Sequence, residues 1–141
     1  MFEICYYSTA ANDLEEYDID AILEKARSNN LRYQITGCLL FHNNKFVQII
    51  EGYEMAVKTL FSKIENDSRH RFIQKLYEGR ISERLFSEWD MAFYRFNQTE
   101  SKNNGKSIFI DNFLTFSELK SNSTIASKLF WMKAKEILVN V

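Results

Sequence analysis

The sequence of 141 residues contains no proline, four glycines, two cysteines and two histidines. Ordinary usage would supply about 7 Pro and about 10 Gly in a chain this long. Gly37, Gly52, Gly79 and Gly105 stand singly, and isolated glycines build neither a GxGxxG dinucleotide turn nor a P-loop. Cys5 and Cys38 lie in apolar contexts without CxxC or Cys/His ligand spacing, so they read as buried thiols of a reducing cytoplasm rather than as metal ligands. A basic excess is also missing. Lys and Arg number 18 against 19 Asp and Glu, a formal net charge of -1, which disfavours direct binding to nucleic acid. No window approaches the ~18 apolar residues of a membrane span, and the start of the chain, Met1 to Cys5, lacks the charged and apolar regions of a signal peptide. A soluble, cytoplasmic protein with no membrane partner is expected.

What the chain does contain is core material. Hydrophobic residues make up 45% and aromatic residues 15%, with 12 Phe, enough for one packed domain with a short appendage. Phe2 to Ser8 alternates with strand periodicity. Ile19, Ile22, Leu23 and Ala26 recur at i, i+3, i+4 and i+7, which predicts a helix from Asp18 to Asn30. Ile35 to Phe41 and Lys45 to Ile50 read as strands joined by the short polar connection His42-Asn43-Asn44, suited to an antiparallel hairpin. Val57, Leu60, Phe61 and Ile64 mark a second helix from Glu54 to Asn66, and Phe72 to Tyr77 and Glu88 to Phe93 read as two more strands. The charged stretch between them has room for one helical turn.

This order predicts an α+β fold, ferredoxin-like βαββαβ plus a fifth strand, with both helices on one face of the sheet. The core module is expected over residues 1–96, and residues 97–141 form a linker and a C-terminal helical extension. Asn97 to Ser107 is polar throughout. Beyond it, Ala126, Phe130, Ala134, Ile137, Leu138 and Val141 fall on one helical face, with an N-cap expected at Ser123 or Thr124. A helix this short folds only when docked, and the sheet face left bare by the first two helices is the expected place.

Few residues stand out chemically. Gln48 interrupts the apolar run Phe46-Val47-Gln48-Ile49-Ile50, and leaving its amide unpaired would cost roughly 1–3 kcal/mol. It is either bonded to neighbouring backbone, or lying on an edge strand, or turned toward a ligand as a switch, because an amide carries a donor and an acceptor that rotation exchanges. Tyr6 has a phenol that needs a partner if buried. Asn30 continues the first helix's apolar stripe and is either an αL cap or a ligand-facing amide. Lys63 and Asp67, spaced i, i+4, suggest an ion pair, and Arg69-His70 adds to a local cationic group. Trp89 and Met91 share one strand face, where packing of a sheet edge is the default. His42, placed in the hairpin loop, has no companion for a metal site, and no nucleophile-base pair is found.

Five blocks together resemble the BLUF domains, the sensors of blue light using FAD. They are Cys5-Tyr6-Tyr7-Ser8, Asn30 to Gly37, Phe46 to Gly52, Asp67-Ser68-Arg69-His70 and Phe86 to Met91, in order over about residues 1 to 96. The resemblance implies FAD with its isoalloxazine ring between the two helices, bound non-covalently. It implies Tyr6 as electron donor to the excited flavin and Gln48 as the amide whose rearrangement gives a red-shifted signalling state. Asn30 would hold the flavin's imide edge, Ile22 would pack on the ring, and Asn29 stands where relatives vary between Asn and His. Lys63, Arg69 and His70 would lie near the ribityl-phosphate side with Asp67 orienting them, and Trp89 and Met91 would couple the pocket to the output surface. Tyr7 departs from relatives, which often carry Arg there. A short stand-alone photoreceptor, not an enzyme, is implied, its output read by a downstream protein partner or by self-association as a homo-oligomer. The alternatives are a ferredoxin-like interaction module that has lost its flavin, and a small enzyme such as an acylphosphatase, for which no anion-binding Arg/Asn loop is seen.

Overall fold

Three strands of this chain, over residues 2–10, 36–42 and 45–52, are buried on both sides because each face of the sheet is covered there. The computed structural model describes residues 1–87, 92–96 and 124–139, with the backbone alone for residues 16, 29, 92–96 and 139. Along the chain lie β1 (Phe2–Ala10), α1 (Glu16–Arg32), β2 (Thr36–His42), β3 (Lys45–Gly52), α2 (Glu54–Glu65), β4 (His70–Arg80), β5 (Ala92–Phe96) and α3 (Ile125–Val139). The sheet order is β4-β1-β3-β2-β5. Neighbours run antiparallel except β2 and β5, which are parallel. This is the expected α+β, ferredoxin-like plan with a fifth strand and a C-terminal helix.

One layer of core lies between the sheet and α1 and α2. Ile4, Tyr6, Leu39, Phe46 and Ile50 from the strands meet Ile19, Leu23, Val57 and Phe61 from the helices. The opposite layer holds Cys5, Cys38, Leu40, Val47 and Ile49 under Ala126, Phe130, Trp131, Ala134, Ile137 and Leu138 of α3. The C-terminal helix therefore docks where the uncovered sheet face was expected. Trp131, outside the predicted stripe, is buried beside Phe86 with ring centroids 6.4 Å apart, so the buried face is wider than a narrow i, i+4 row. Thr124 is the N-cap: its Oγ1 accepts the Ser127 N–H at 3.1 Å, and Ser127 Oγ accepts the Thr124 N–H at 2.9 Å. Ser123 and Val141 lie outside the described residues.

Local turn chemistry moves several expected boundaries. α1 runs past Asn30 to Arg32 and ends in a Schellman motif, in which the Ile35 N–H donates to Asn30 O (2.8 Å) and the Gln34 N–H donates to Leu31 O (3.3 Å). Gln34, at φ 56, is the αL residue, so the reading of Asn30 as that cap is corrected. The hairpin connection is only Asn43-Asn44, with φ 51 and 65, the pair of positive angles that matches strand twist in a two-residue turn. His42 is therefore not in the loop but is the buried last residue of β2. Bends and a turn, not a helix, occupy residues 82–87. The last described strand is β5 at Ala92–Phe96, which the expected strand from Glu88 to Phe93 overlaps at residues 92 and 93; residues 88–91, Trp89 and Met91 among them, lie outside the described residues. No described helix is long and apolar enough to cross a membrane.

Gly37 sits where β2 crosses closest to β3. Its φ is +153, and a Cβ there would lie 1.9 Å from the Ile49 carbonyl oxygen. Gly37→Ala is expected to destabilise the fold by more than the ~1–3 kcal/mol of a strained residue alone, read as a lowered midpoint in urea unfolding.

Candidate functional site

Tyr6 and Gln48 are Cα partners across the β1–β3 ladder, so alternation sends both side chains to the same face, toward α1 and α2. There the Tyr6 hydroxyl donates to Gln48 Oε1 at 2.5 Å, with both residues buried. A side-chain partner thus meets the Gln48 carbonyl. Burial, with smaller contributions from Cys5 and Asp67, pushes the Tyr6 phenol above its ordinary value, which keeps it a donor. Its ring packs against Phe61 (5.6 Å between centroids) and His70 (6.3 Å).

Around this pair opens a cavity of about 430 Å³ between α1, α2 and the sheet, within the roughly 300–1,000 Å³ usual for small-molecule sites. Its walls include Tyr6, Ile22, Asn30, Gln48, Lys63, Asp67, Arg69 and His70, all named from the sequence. The side chain of Asn29 is outside the described residues, as are Trp89 and Met91. Lys25, Ala26, Leu39, Phe46, Leu60, Ile64 and Ser68 complete the lining. Ala26 had appeared only as helix stripe and Phe46 only as strand, because periodicity gives the face of a residue and not what lies opposite it.

Asn30 carries the clearest ligand signal. It is 1% exposed, and neither its Oδ1 nor its Nδ2 has a hydrogen-bond partner. The Schellman bonds hold its backbone, so the amide is presented to the cavity by a fixed helix end. One unpaired donor beside one unpaired acceptor suits a ligand edge with the complementary pair, as the C4=O and N3–H of a flavin provide. The donor set therefore fits the cofactor that the sequence resemblance implies.

The polar end of the cavity differs from expectation. Asp67 pairs with Arg69, whose Nε and Nη2 donate to Oδ1 (2.9 Å) and Oδ2 (2.6 Å). Those bonds hold the Asp67 carboxyl below its ordinary value. The Lys63–Asp67 pair suggested by i, i+4 spacing is absent among the described residues, because the planar guanidinium two residues on offers a bidentate fit. Lys63 instead lies 5.9 Å from the Tyr33 ring centroid. His70 is held at both ring nitrogens: Nε2 meets the Ile64 carbonyl oxygen at 2.6 Å and Nδ1 meets Ser8 Oγ at 2.8 Å. The imidazole is a strut between β1 and the end of α2. Buried Ser8 was missed, its only signal being that it shares a strand face with Tyr6.

An unpaired buried amide makes a signed prediction. Asn30→Leu should raise the thermal stability of the ligand-free protein, by the roughly 1–3 kcal/mol that the unmet amide costs, while weakening flavin binding. Calorimetry of the apoprotein and a flavin titration check the two arms.

Comparisons with known proteins agree with this geometry. Residues 1–92 match the family described as BLUF, sensors of blue-light using FAD. The chain is 35% identical over 90 residues to photoactivated adenylate cyclase subunit beta of Euglena gracilis, covering 63% of this chain and 10% of that protein. Its identity to subunit alpha of the same organism is 34% over 93 residues, covering 65% and 9%. The chain thus spans about a tenth of the length of these curated relatives. The solved structure of BlsA in its photo-activated state superposes with a TM-score of 0.68 at 29% identity, covering 99% of this chain and 96% of that one. The dark-state structure of BlrB, a BLUF protein, gives 0.67 at 28% identity, covering 95% and 96%. A Tyr–Gln pair and an orphaned Asn in one cavity, on a fold and sequence shared with these proteins, place the chain in the BLUF family of blue-light sensors.

Proposed function

We propose that this chain is a blue-light photoreceptor that binds FAD non-covalently between α1 and α2, with residues 1–96 as the sensing module. The observation that carries the reading is the convergence of the Tyr6–Gln48 hydrogen bond and the unpaired Asn30 amide on a single cavity. Asn30 would hold the imide edge, Ile22 would pack on the ring, and Lys25, Lys63 and the Arg69–Asp67 pair suit the phosphate side. When bound, the flavin supplies blue-light absorption and, once excited, a strong one-electron oxidant.

The chain's own residues then account for the switch. Tyr6 is the most readily oxidised of the described side chains at the cavity. Its phenolic proton already points at Gln48 Oε1, so a proton released with the electron has an acceptor in place. Gln48 exchanges its donor and acceptor corners by rotation or tautomerism and presents an altered hydrogen-bond pattern to the ligand. In this reading the side chains return to their starting charges and nothing is turned over, so the role is sensing and not catalysis. Trp89 and Met91 would carry the change to the output surface. A downstream protein partner, or a second copy in a homo-oligomer, would read it.

A ferredoxin-like interaction module without flavin is the weaker alternative, since it would leave the Asn30 amide buried and unmet. Purified protein should be yellow, and blue light should produce a small red shift that decays in the dark. Tyr6→Phe and Gln48→Leu should each keep the flavin and lose the reversible shift, measured as a light-minus-dark absorption spectrum. Parent-like photoswitching in both variants overturns the assigned roles, and a colourless protein that takes up no FAD overturns the photoreceptor reading.

A further inference from the structure

The two strands that carry Tyr6 and Gln48 toward the cavity carry two carboxylates toward the opposite face. Glu3 and Glu51 are Cα partners across β1 and β3, 1% and 0% exposed, and neither forms an ion pair among the described residues. Glu51 accepts from Thr36 Oγ1 (2.8 Å) and from the backbone N–H groups of Leu85 (2.9 Å) and Phe86 (2.6 Å). Glu3 accepts from Thr124 Oγ1 at 2.8 Å. Thr124 is the N-cap of α3, so the first turn of that helix is fastened to the sheet through a buried acid.

We propose that Glu3, opposed by Glu51, is a proton-binding latch that fastens α3 over the sheet and makes this helix a releasable cover. The inference does not depend on the flavin reading. Burial, reinforced by the Glu51 charge and opposed by the Thr124 bond and the nearby Ala126 backbone N–H, raises the Glu3 carboxyl above its ordinary value. The docked state therefore binds the proton more tightly than the released state. Docking is strongest below the ordinary carboxylate range and weakens as pH rises toward the docked value, beyond which it is constant. The groups facing Glu3 leave it as the titrating fastener. β3 contributes Glu51, beside which Arg84 donates from Nη1 to Thr36 Oγ1 (3.0 Å) and to the Glu51 backbone carbonyl (3.3 Å), a guanidinium that keeps its charge throughout. β4 places Gly79 opposite it, with the Tyr77 phenol filling the space beside that glycine. On α3, Lys133 lies over the Tyr7 ring, 4.2 Å from its centroid. The buried face of α3 is otherwise the apolar set of Ala126, Phe130, Trp131, Ala134, Ile137 and Leu138, which does not titrate.

The chain contains its own reporter. Cys5 and Cys38 are its only cysteines, and both are fully buried in the layer beneath α3. Burial raises both thiols, and Glu3 acts in addition on Cys5, which leaves Cys38 as the cleaner probe. Full-length protein is labelled with dithiodipyridine in the dark between about pH 4.5 and pH 8. The rate at Cys38, read by peptide mass spectrometry, is divided by that of a free thiol standard at each pH. The parent ratio should climb with pH, at most on the order of tenfold per unit, and then level. Glu3→Gln keeps an acceptor for Thr124 and carries no charge; it should label more slowly than the parent on the plateau and show no climb. Thr124→Val should label faster throughout. Circular dichroism establishes that each variant is folded. A flat parent profile, a Glu3→Gln profile that climbs like the parent, or a urea dependence of labelling equal to that of global unfolding overturns the proposal.

Discussion

The hydrogen bond between Tyr6 and Gln48 joins the two central strands at a level where neither side chain can reach water. β1 and β3 are covered on both faces, so each polar group they carry must find its partner inside the protein. On the helix-covered face the phenol and the amide satisfy each other. On the α3 side, Glu3 and Glu51 take donors from Thr124, Thr36 and the backbone of residues 85 and 86. These polar pairings pin the register as firmly as the apolar ones do. A slip of one residue would turn Tyr6 and Gln48 away from the cavity and Glu3 and Glu51 into it.

The cavity beside this bond follows from how α1 ends. The Schellman motif, closed by Gln34 in the left-handed region, fixes the last turn and holds Asn30 at the end of the helix's inward stripe. An apolar residue there would fill the space and complete the core. Asn30 instead leaves an unmet amide, a local cost that the surrounding packing tolerates and that a bound ligand removes. His70, bonded to Ser8 and to the end of α2, keeps the opposite wall at a set distance from the Tyr6 ring. The site is thus braced on two sides.

The second covered face changes what the sheet can transmit. Tyr6 and Tyr7 are neighbours in β1 yet belong to different worlds, one in the cavity and the other under Lys133 of α3. Gln48 and Glu51 bear the same relation along β3. A displacement of either strand is therefore felt at once by the cavity and by the elements packed on the far side, which include α3 and the turn ending at Phe86.

Local patterns in the sequence determined the elements and their order. Alternation marked the strands, the 3.6-residue stripe marked the helices, and the motif blocks around Tyr6, Asn30 and Gln48 marked the family, because periodicity and chemical type are properties of short stretches. The exceptions were also local in origin but depended on backbone angles, as at Asn43-Asn44 and Gln34, where non-glycine residues adopt the left-handed region. What only the tertiary structure decided were the partners: Arg69 rather than Lys63 for Asp67, Ser8 and Ile64 for His70, Thr124 for Glu3. Glu3 reads as an ordinary polar alternation until α3 covers it, since its burial depends on an element more than a hundred residues away along the chain, and the donors that meet Glu51 come from Thr36 and from the turn at residues 85 and 86.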